Sequence, residues 1–211
     1  MWIDCHCHTK HSYDNWLEPL DLVRRARAIG LDGVVITEHH SFEASAPVEA
    51  VGRDEGLLVL RGVEISDRGH LLAYGLEDDS WNTWGRDTWL PLEDVIARIT
   101  DLGGLCAPAH PYREFGVCSL LDGLLELQGI AAVETHNGGN VDSDNELAIV
   151  ATRHMALPGL GGSDCHKVAA VGRCATEFLQ PVTDMASLIA AVRAGACRGG
   201  YFKGFSAMTT N

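Results

Sequence analysis

Residues Met1 to Asp14 read MWIDCHCHTKHSYD, and they hold Cys5, His6, Cys7, His8, His11 and Asp14, each able to bind a metal. The cluster is open to three readings: a zinc–thiolate clip holding a small fold together, part of a catalytic metal site, or a chance crowding of polar residues on one strand. MWID reads as a strand, and side chains alternate along a strand. His6 and His8 then share one face and can point at one ion, while Cys5 and Cys7 point away together. A structural zinc site usually wants paired cysteines at loop spacing and a second such pair elsewhere. None of the other cysteines forms one, so the imidazoles are the stronger candidates.

Working outward, short apolar runs alternate with amphipathic stretches. Strands are expected at GVVITE, LLVLRGVEIS (one or two), HLLAYGL, LCAPAH, IAAVETH and LPGLGGSD, with CRGGYF as a closing strand. Helices are expected at Leu20 to Ile29, Leu92 to Leu102, LLDGLLEL, NELAIVATRH and Asp184 to Ala194, the last with Thr183 as cap. This βαβα rhythm favours a parallel sheet or barrel covered by helices.

The polar residues fall at the strand ends. His6 and His8 follow the first strand, Glu38 and His39 the second, Glu64 a third, His110 a later one, Glu134 and His136 the next, and Asp164 and His166 the last before the closing helix. In α/β architectures the C-terminal strand ends gather on one face, where ligands bind. Of ten histidines, six stand at such ends and His70 opens another strand, while Asp14, Glu64 and Asp164 add oxygen ligands. Imidazole and carboxylate shells without thiolate suit Zn²⁺, Mn²⁺ or Fe²⁺. So many donors exceed one ion's needs and point to two or three divalent metals.

The 211 residues suffice for one sizeable core, and a single domain over 1–211 is expected. Sixteen basic against 29 acidic residues give a formal charge of −13, so an electrostatic footprint for nucleic-acid backbone is missing on average. No charged leader runs into an apolar stretch and no segment reaches membrane-helix length, which implies a soluble protein without a membrane partner. Seven thinly spread cysteines argue against a disulfide scaffold and for the cytoplasm. Cys106, Cys174 and Cys197 read as core, His11 as an exposed loop residue and His154 as a helix end. Trp81, Trp84 and Trp89, in EDDSWNTWGRDTWLP, suit rim packing or a partner contact better than stacking on a base or sugar.

DCHCHT with Asp14, ITEHH, GVEIS, GHLLAYG, AHP, VETHN and GGSDCH, in that order, resemble the PHP family, named for polymerase and histidinol phosphatase. The resemblance runs from about Met1 to Phe178, and the segment from VETHNGG through SDCH looks like the C-terminal portion of small stand-alone members. It implies a distorted seven-stranded β/α barrel with up to three metals at the C-terminal strand ends. By this likeness His6, His8, Glu64 and Asp164 hold the first metal. Glu64 bridges to a second bound by His70 and His110, and Asp14, His39 and His166 hold the third. Two positions depart from the pattern. The family's T-D-H-D block reads Thr37-Glu38-His39-His40 here, which leaves Glu38 to orient a ligand histidine and His40 either to receive an anion or to sit as a loop residue. His136 stands where the family often carries an aromatic, as an extra ligand, an acid/base group or a pocket wall.

The chemistry expected of such a site is phosphoester hydrolysis by metal-activated hydroxide, with the substrate a small phosphorylated metabolite: a nucleotide, sugar or amino-alcohol phosphate. Clustered divalent ions lower the pKa of water toward about 7 and clamp the oxygens of a transferring phosphoryl group. Arg113, Lys167 and Arg173 are candidate cations for the phosphate, and His40 or His136 is the candidate proton donor. Two rivals remain: an exonuclease or protein-tyrosine phosphatase of the same family, and a non-catalytic domain whose metals only stabilise the fold. The acidic balance weighs against long nucleic acid, leaving at most nucleotides or short oligonucleotides.

Overall fold

The computed structural model describes residues 1–82 and 91–205. A seven-stranded sheet runs in the order β5-β4-β3-β2-β1-β8-β9. Its strands are β1 (Trp2–Cys7), β2 (Gly33–Ile36), β3 (Leu58–Ser66), β4 (His70–Tyr74), β5 (Leu105–Ala109), β8 (Cys174–Phe178) and β9 (Cys197–Tyr201). A separate parallel pair joins β6 (Val133–Asn137) to β7 (Gly159–Gly162). Backbone bonds draw this pair into the gap left by the curling sheet. Ala131 N donates to Cys106 O at 3.0 Å beside β5, and Asp164 N donates to His6 O at 2.7 Å beside β1. The result is a distorted β/α barrel.

Not all of it is parallel. The links β1–β2, β2–β3 and β6–β7 are parallel, but β3–β4, β4–β5, β1–β8 and β8–β9 are antiparallel. The reason is plain at β3–β4, where residues 67–69 are the whole connection and only an antiparallel neighbour can be reached so quickly.

The helices cover the sheet as their apolar spacing dictates. Helix α1 (Pro19–Ala28) buries Leu22, Val23 and Ala26, with Pro19 in its first turn. Helix α3 (Leu92–Asp101) buries Leu92, Val95, Ile96 and Ile99, one continuous stripe. Helix α4 (Asp142–His154) starts earlier than its apolar residues indicate, with Asp142 and Asp144 in its first turn. Helix α5 (Met185–Arg193) is capped by Asp184 rather than Thr183, in a reciprocal box with Ser187. Helix α2 (Ala46–Glu55) and strand β8 were not among the expected elements. LLDGLLEL forms a 3₁₀ turn over Leu121–Glu126 instead of an α-helix. Leu121 opens it at φ 50°, Gly123 sits inside, and only Leu124 is buried, so no apolar stripe sustains a helix.

Two further expectations are corrected. Cys5 and Cys7 do not share a face: Cys5 packs with Ile3, Val35 and Tyr74, whereas Cys7 packs with Val23, Ile36 and Cys165. The β1–β2 register shifts between Asp4 and Cys7, and that irregularity resets the alternation. Trp81 is no rim residue, since it is buried against Val95, Ile96 and Leu127. Trp84 and Trp89 lie outside the described residues. Cys106, Cys174 and Cys197 are buried, and His11 and His154 are exposed, as expected.

Candidate metal centre and active site

Glycine brings β7 against β1. At Gly162, the last residue of β7, a Cβ would run into the backbone and Cβ of His6. The bare backbone lets β7 approach β1 closely, and just beyond it Asp164 lies 3.6 Å from His6 Nε2 and 3.5 Å from His8 Nε2 through Oδ1. Asp164 takes φ 50° and His110 φ 29°, positions that L residues rarely hold and that cluster at functional sites.

Glu64, on β3, is the hub. Its Oε1 is 2.7 Å from His70 Nδ1 and 3.2 Å from His110 Nε2. Its Oε2 is 3.3 Å from His6 Nε2, 3.0 Å from His8 Nε2 and 3.3 Å from His39 Nδ1. One carboxylate thus faces five imidazoles, with a different oxygen toward each group. Among the described residues, three sets bring donor atoms within 4.8 Å of one another: His6, His8 and Glu64; Glu64, His70 and His110; and His6, His110 and Asp164. Asp14 joins at the solvent edge, its Oδ2 3.4 Å from His39 Nε2 and 3.3 Å from His166 Nε2.

A layer behind sets the ring orientations. Glu134 Oε1 lies 2.9 Å from His6 Nδ1, while its Oε2 accepts from His110 N at 2.7 Å and from Asn137 Nδ2 at 2.9 Å. Ser12 Oγ donates to Glu38 and lies 3.2 Å from His8 Nδ1. Neutral His6 and His8 would therefore carry their protons on Nδ1 and turn the Nε2 lone pairs inward, where the two atoms are 3.0 Å apart. Two bare acceptors at that distance repel unless a proton or cation lies between them. His39 Nδ1 and His110 Nδ1 are also buried without a hydrogen bond. Converging lone pairs, buried carboxylates and orphaned ring nitrogens are donors that fit divalent cations.

The same crowding moves the titrations. Burial disfavours the charged form of His6, but Glu134, Asp164 and Glu64 outweigh it and raise its pKa well above the ordinary imidazole value. His8 is raised against burial by Glu64. Burial opposes the ionised form of Glu64 too, yet His6, His110 and His70 hold it well below the usual carboxylate range. Asp164 is likewise held low against burial by His6, His110 and Arg113. His39, pressed by burial and by His8, falls to about 4.

A cavity of about 350 Å³ opens above the cluster, lined among others by Tyr13, His39, His70, Arg113, Asp164 and His166. Arg113 Nη2 donates to Asp164 Oδ2 at 2.8 Å and its Nε donates to Asn140 Oδ1 at 2.7 Å. The other candidate cations lie elsewhere: Lys167 is exposed, and Arg173 Nη1 donates to Gly138 O at 3.0 Å. Neither expected proton donor lines this cavity. His40, at φ 56°, is held by its backbone N–H to Glu64 O at 2.9 Å. His136 follows a register shift in β6, lies 3.0 Å from Thr135 Oγ1 and meets Tyr201 edge-on at 5.4 Å.

Sequence reasoning left Glu134, Asp4, Ser12 and Asn137 without roles. Asp4 is fully buried and accepts from Ser163 N at 2.8 Å and Gly172 N at 3.1 Å, tying β1 to the approach of β7 and β8. The available signal was an acid inside an apolar strand, in WIDC and AAVET, because a buried carboxylate has to be paired.

Known proteins share the fold and stretches of the sequence. A family model described as PHP domain matches residues 4–134, and one described as PHP-associated matches residues 142–197. An uncharacterized protein of Methanocaldococcus jannaschii is 27% identical over 154 residues, covering 67% of this chain and 85% of its own length. The PolC-type DNA polymerase III of Latilactobacillus sakei is 30% identical over 148 residues, 69% of this chain but 9% of the polymerase. Among solved structures, a two-domain protein of Bacteroides vulgatus containing a predicted PHP-like metal-dependent phosphoesterase superposes with TM-score 0.75 at 18% identity, covering 96% of this chain and 65% of that one. The lesion-specific endonuclease of Pyrococcus furiosus does so with TM-score 0.69 at 18% identity, covering 94% and 57%. With the barrel, the carboxylate hub and the domain match in agreement, the chain belongs to the PHP family.

Proposed function

We propose that this phosphoesterase hydrolyses a small phosphorylated metabolite at the Glu64 cluster. The observation that carries the reading is Glu64 itself, a buried carboxylate whose two oxygens face two separate groups of imidazoles. His6, His8, Glu64 and Asp164 would hold one ion, Glu64, His70 and His110 a second, and Asp14, His39 and His166 a third at the solvent edge. When bound, divalent ions lower the pKa of water toward about 7 and neutralise charge on the transferring phosphoryl oxygens.

The protein's own groups do the rest. Glu134 and the Ser12–Glu38 pair fix the tautomers of His6 and His8. Arg113, held in place by Asp164 and Asn140, offers N–H donors from the cavity wall to a phosphoryl oxygen. Its planar fork suits that task better than an ammonium. A cavity of about 350 Å³ suits a metabolite, and the formal charge of −13 disfavours long nucleic acid. The seven free thiols, six of them buried, suit the cytoplasm, and among the described residues no helix is long and apolar enough to cross a membrane.

The test is a panel of metabolite phosphates and a generic aryl phosphate with Mn²⁺, Zn²⁺ or Fe²⁺ supplied, run beside Asp164→Ala. Hydrolysis lost in the variant supports the reading. No hydrolysis in either protein would overturn it, and release of mononucleotides from a labelled oligonucleotide would shift it to nucleic-acid ends.

A further inference from the structure

Residues 137–140, Asn-Gly-Gly-Asn, leave β6 and close on the Arg113 guanidinium. Arg113 Nη2 donates to Asn137 Oδ1, and its Nε donates to Asn140 Oδ1 at 2.7 Å. With the bond from Nη2 to Asp164 Oδ2 at 2.8 Å, three of the five N–H groups of the fork are held inside the protein. Asn137 is 1% exposed, and its amide can face only one way. Oδ1 accepts from Arg113 and from Gly139 N at 2.7 Å, while Nδ2 donates to Glu134 Oε2 at 2.9 Å and reaches Asp164 Oδ2 at 3.5 Å. A flipped amide would set oxygen against two carboxylates and N–H against two donors. Asn145 fixes the backbone beneath, its Oδ1 accepting from Asn137 N at 3.0 Å and from Asn140 Nδ2 at 2.9 Å. Gly139 completes the fit, since a Cβ there would stand 2.7 Å from Arg113 Nη2. The loop thus holds the guanidinium by two amide oxygens and by the space that a missing side chain leaves.

We propose that Asn137 is a positioning residue for phosphoester hydrolysis: it sets the Arg113 fork against Asp164 and acts on the substrate through Arg113. This rests on the phosphoesterase reading above and deepens it. An arginine side chain is otherwise spread over many rotamers, and a buried, fully bonded amide removes that freedom before substrate arrives. An aspartate could accept the same guanidinium bond, but it would set a third carboxylate against Glu134 and Asp164, so the position calls for an amide.

The experiment compares kcat and KM for an aryl phosphate, with Mn²⁺ supplied, in the unaltered protein, Asn137→Ala, Arg113→Ala and the double variant. Asn137→Ala should lower kcat/KM by about 10²-fold, the usual cost of a misplaced group. In the Arg113→Ala background it should cost less than about twofold, because residues that act through one another are not additive. Gly139→Ala, which leaves Asn137 in place and pushes on the guanidinium, should repeat both results. Metal content should not change. A second readout needs no turnover: hydrogen exchange at Arg113 Nε–H, its NMR signal identified by absence from Arg113→Ala. Asn137→Ala should speed that exchange by about tenfold, the worth of one hydrogen bond. Equal losses in both backgrounds, lost metal, or unchanged exchange would overturn the proposal. Faster exchange with no ester hydrolysed by any of the proteins sinks the phosphoesterase reading and leaves the hold of Asn137 on Arg113 standing.

Discussion

Arg113 Nη2 donates to Asp164 Oδ2 at 2.8 Å, while Oδ1 of the same carboxylate faces His6 and His8 at 3.6 and 3.5 Å. A guanidinium from the β5 side of the barrel thus braces the carboxylate that follows β7, donates also to Asn137 Oδ1, and lines the cavity.

Removing that guanidinium should hurt turnover more than metal binding. Arg113→Ala is expected to lower kcat by about 10²- to 10³-fold, the usual loss for one preorganised donor to a developing oxyanion. Metal content by elemental analysis should stay above half. Arg113→Lys should recover little, because a single ammonium cannot reach both Asp164 and Asn140 and still contact phosphate. A lysine variant with full activity would show that only the charge matters.

Glu134 acts through His6. Glu134→Gln keeps the shape but sets an amide where His6 Nδ1 and His110 N require acceptors. Calorimetric titration of the apo protein with Zn²⁺ should show affinity lower by about 10- to 100-fold, as is common when a ligand histidine loses its carboxylate. An unchanged isotherm would assign Glu134 to packing alone.

The first strand separates thiols from imidazoles. Cys5→Ser with Cys7→Ser places two hydroxyls in apolar clusters at 1% and 0% exposure. Stability should fall by roughly 1–3 kcal/mol for each unpaired hydroxyl, read as a lower Tm. Metal per folded chain should not change. His6→Ala or His8→Ala should do the reverse and abolish turnover together with metal uptake. Loss of metal from the cysteine variant would restore the thiolate reading of Met1 to Asp14.

Metal uptake should eject protons. In the apo protein the pKa values of His6 and His8 lie above the ordinary imidazole value, despite burial, because of Glu134, Asp164 and Glu64. Below those raised values the rings hold protons that a cation must displace, so apparent affinity rises with pH until the rings are neutral and then levels off. Titrations in buffers of different ionisation enthalpy should show net proton release at neutral pH. Chelation should lower Tm, since the ions bind the folded state.

The strand-end donors and their order were legible in the sequence, because local patterning records which elements exist and which chemistry each end carries. The chain by itself determined that His6, His8, Glu64, His110 and Asp164 would stand at strand ends of an α/β fold. Register and close approach it left open. The shift that parts Cys5 from Cys7, the antiparallel turn at β4 and the contact of Gly162 with His6 depend on which strands become neighbours, and long-range backbone bonds decide that. For the same reason only the tertiary structure made Glu134 the partner of His6 at 128 residues' separation, and sent His136, two residues on, to Tyr201 outside the cavity.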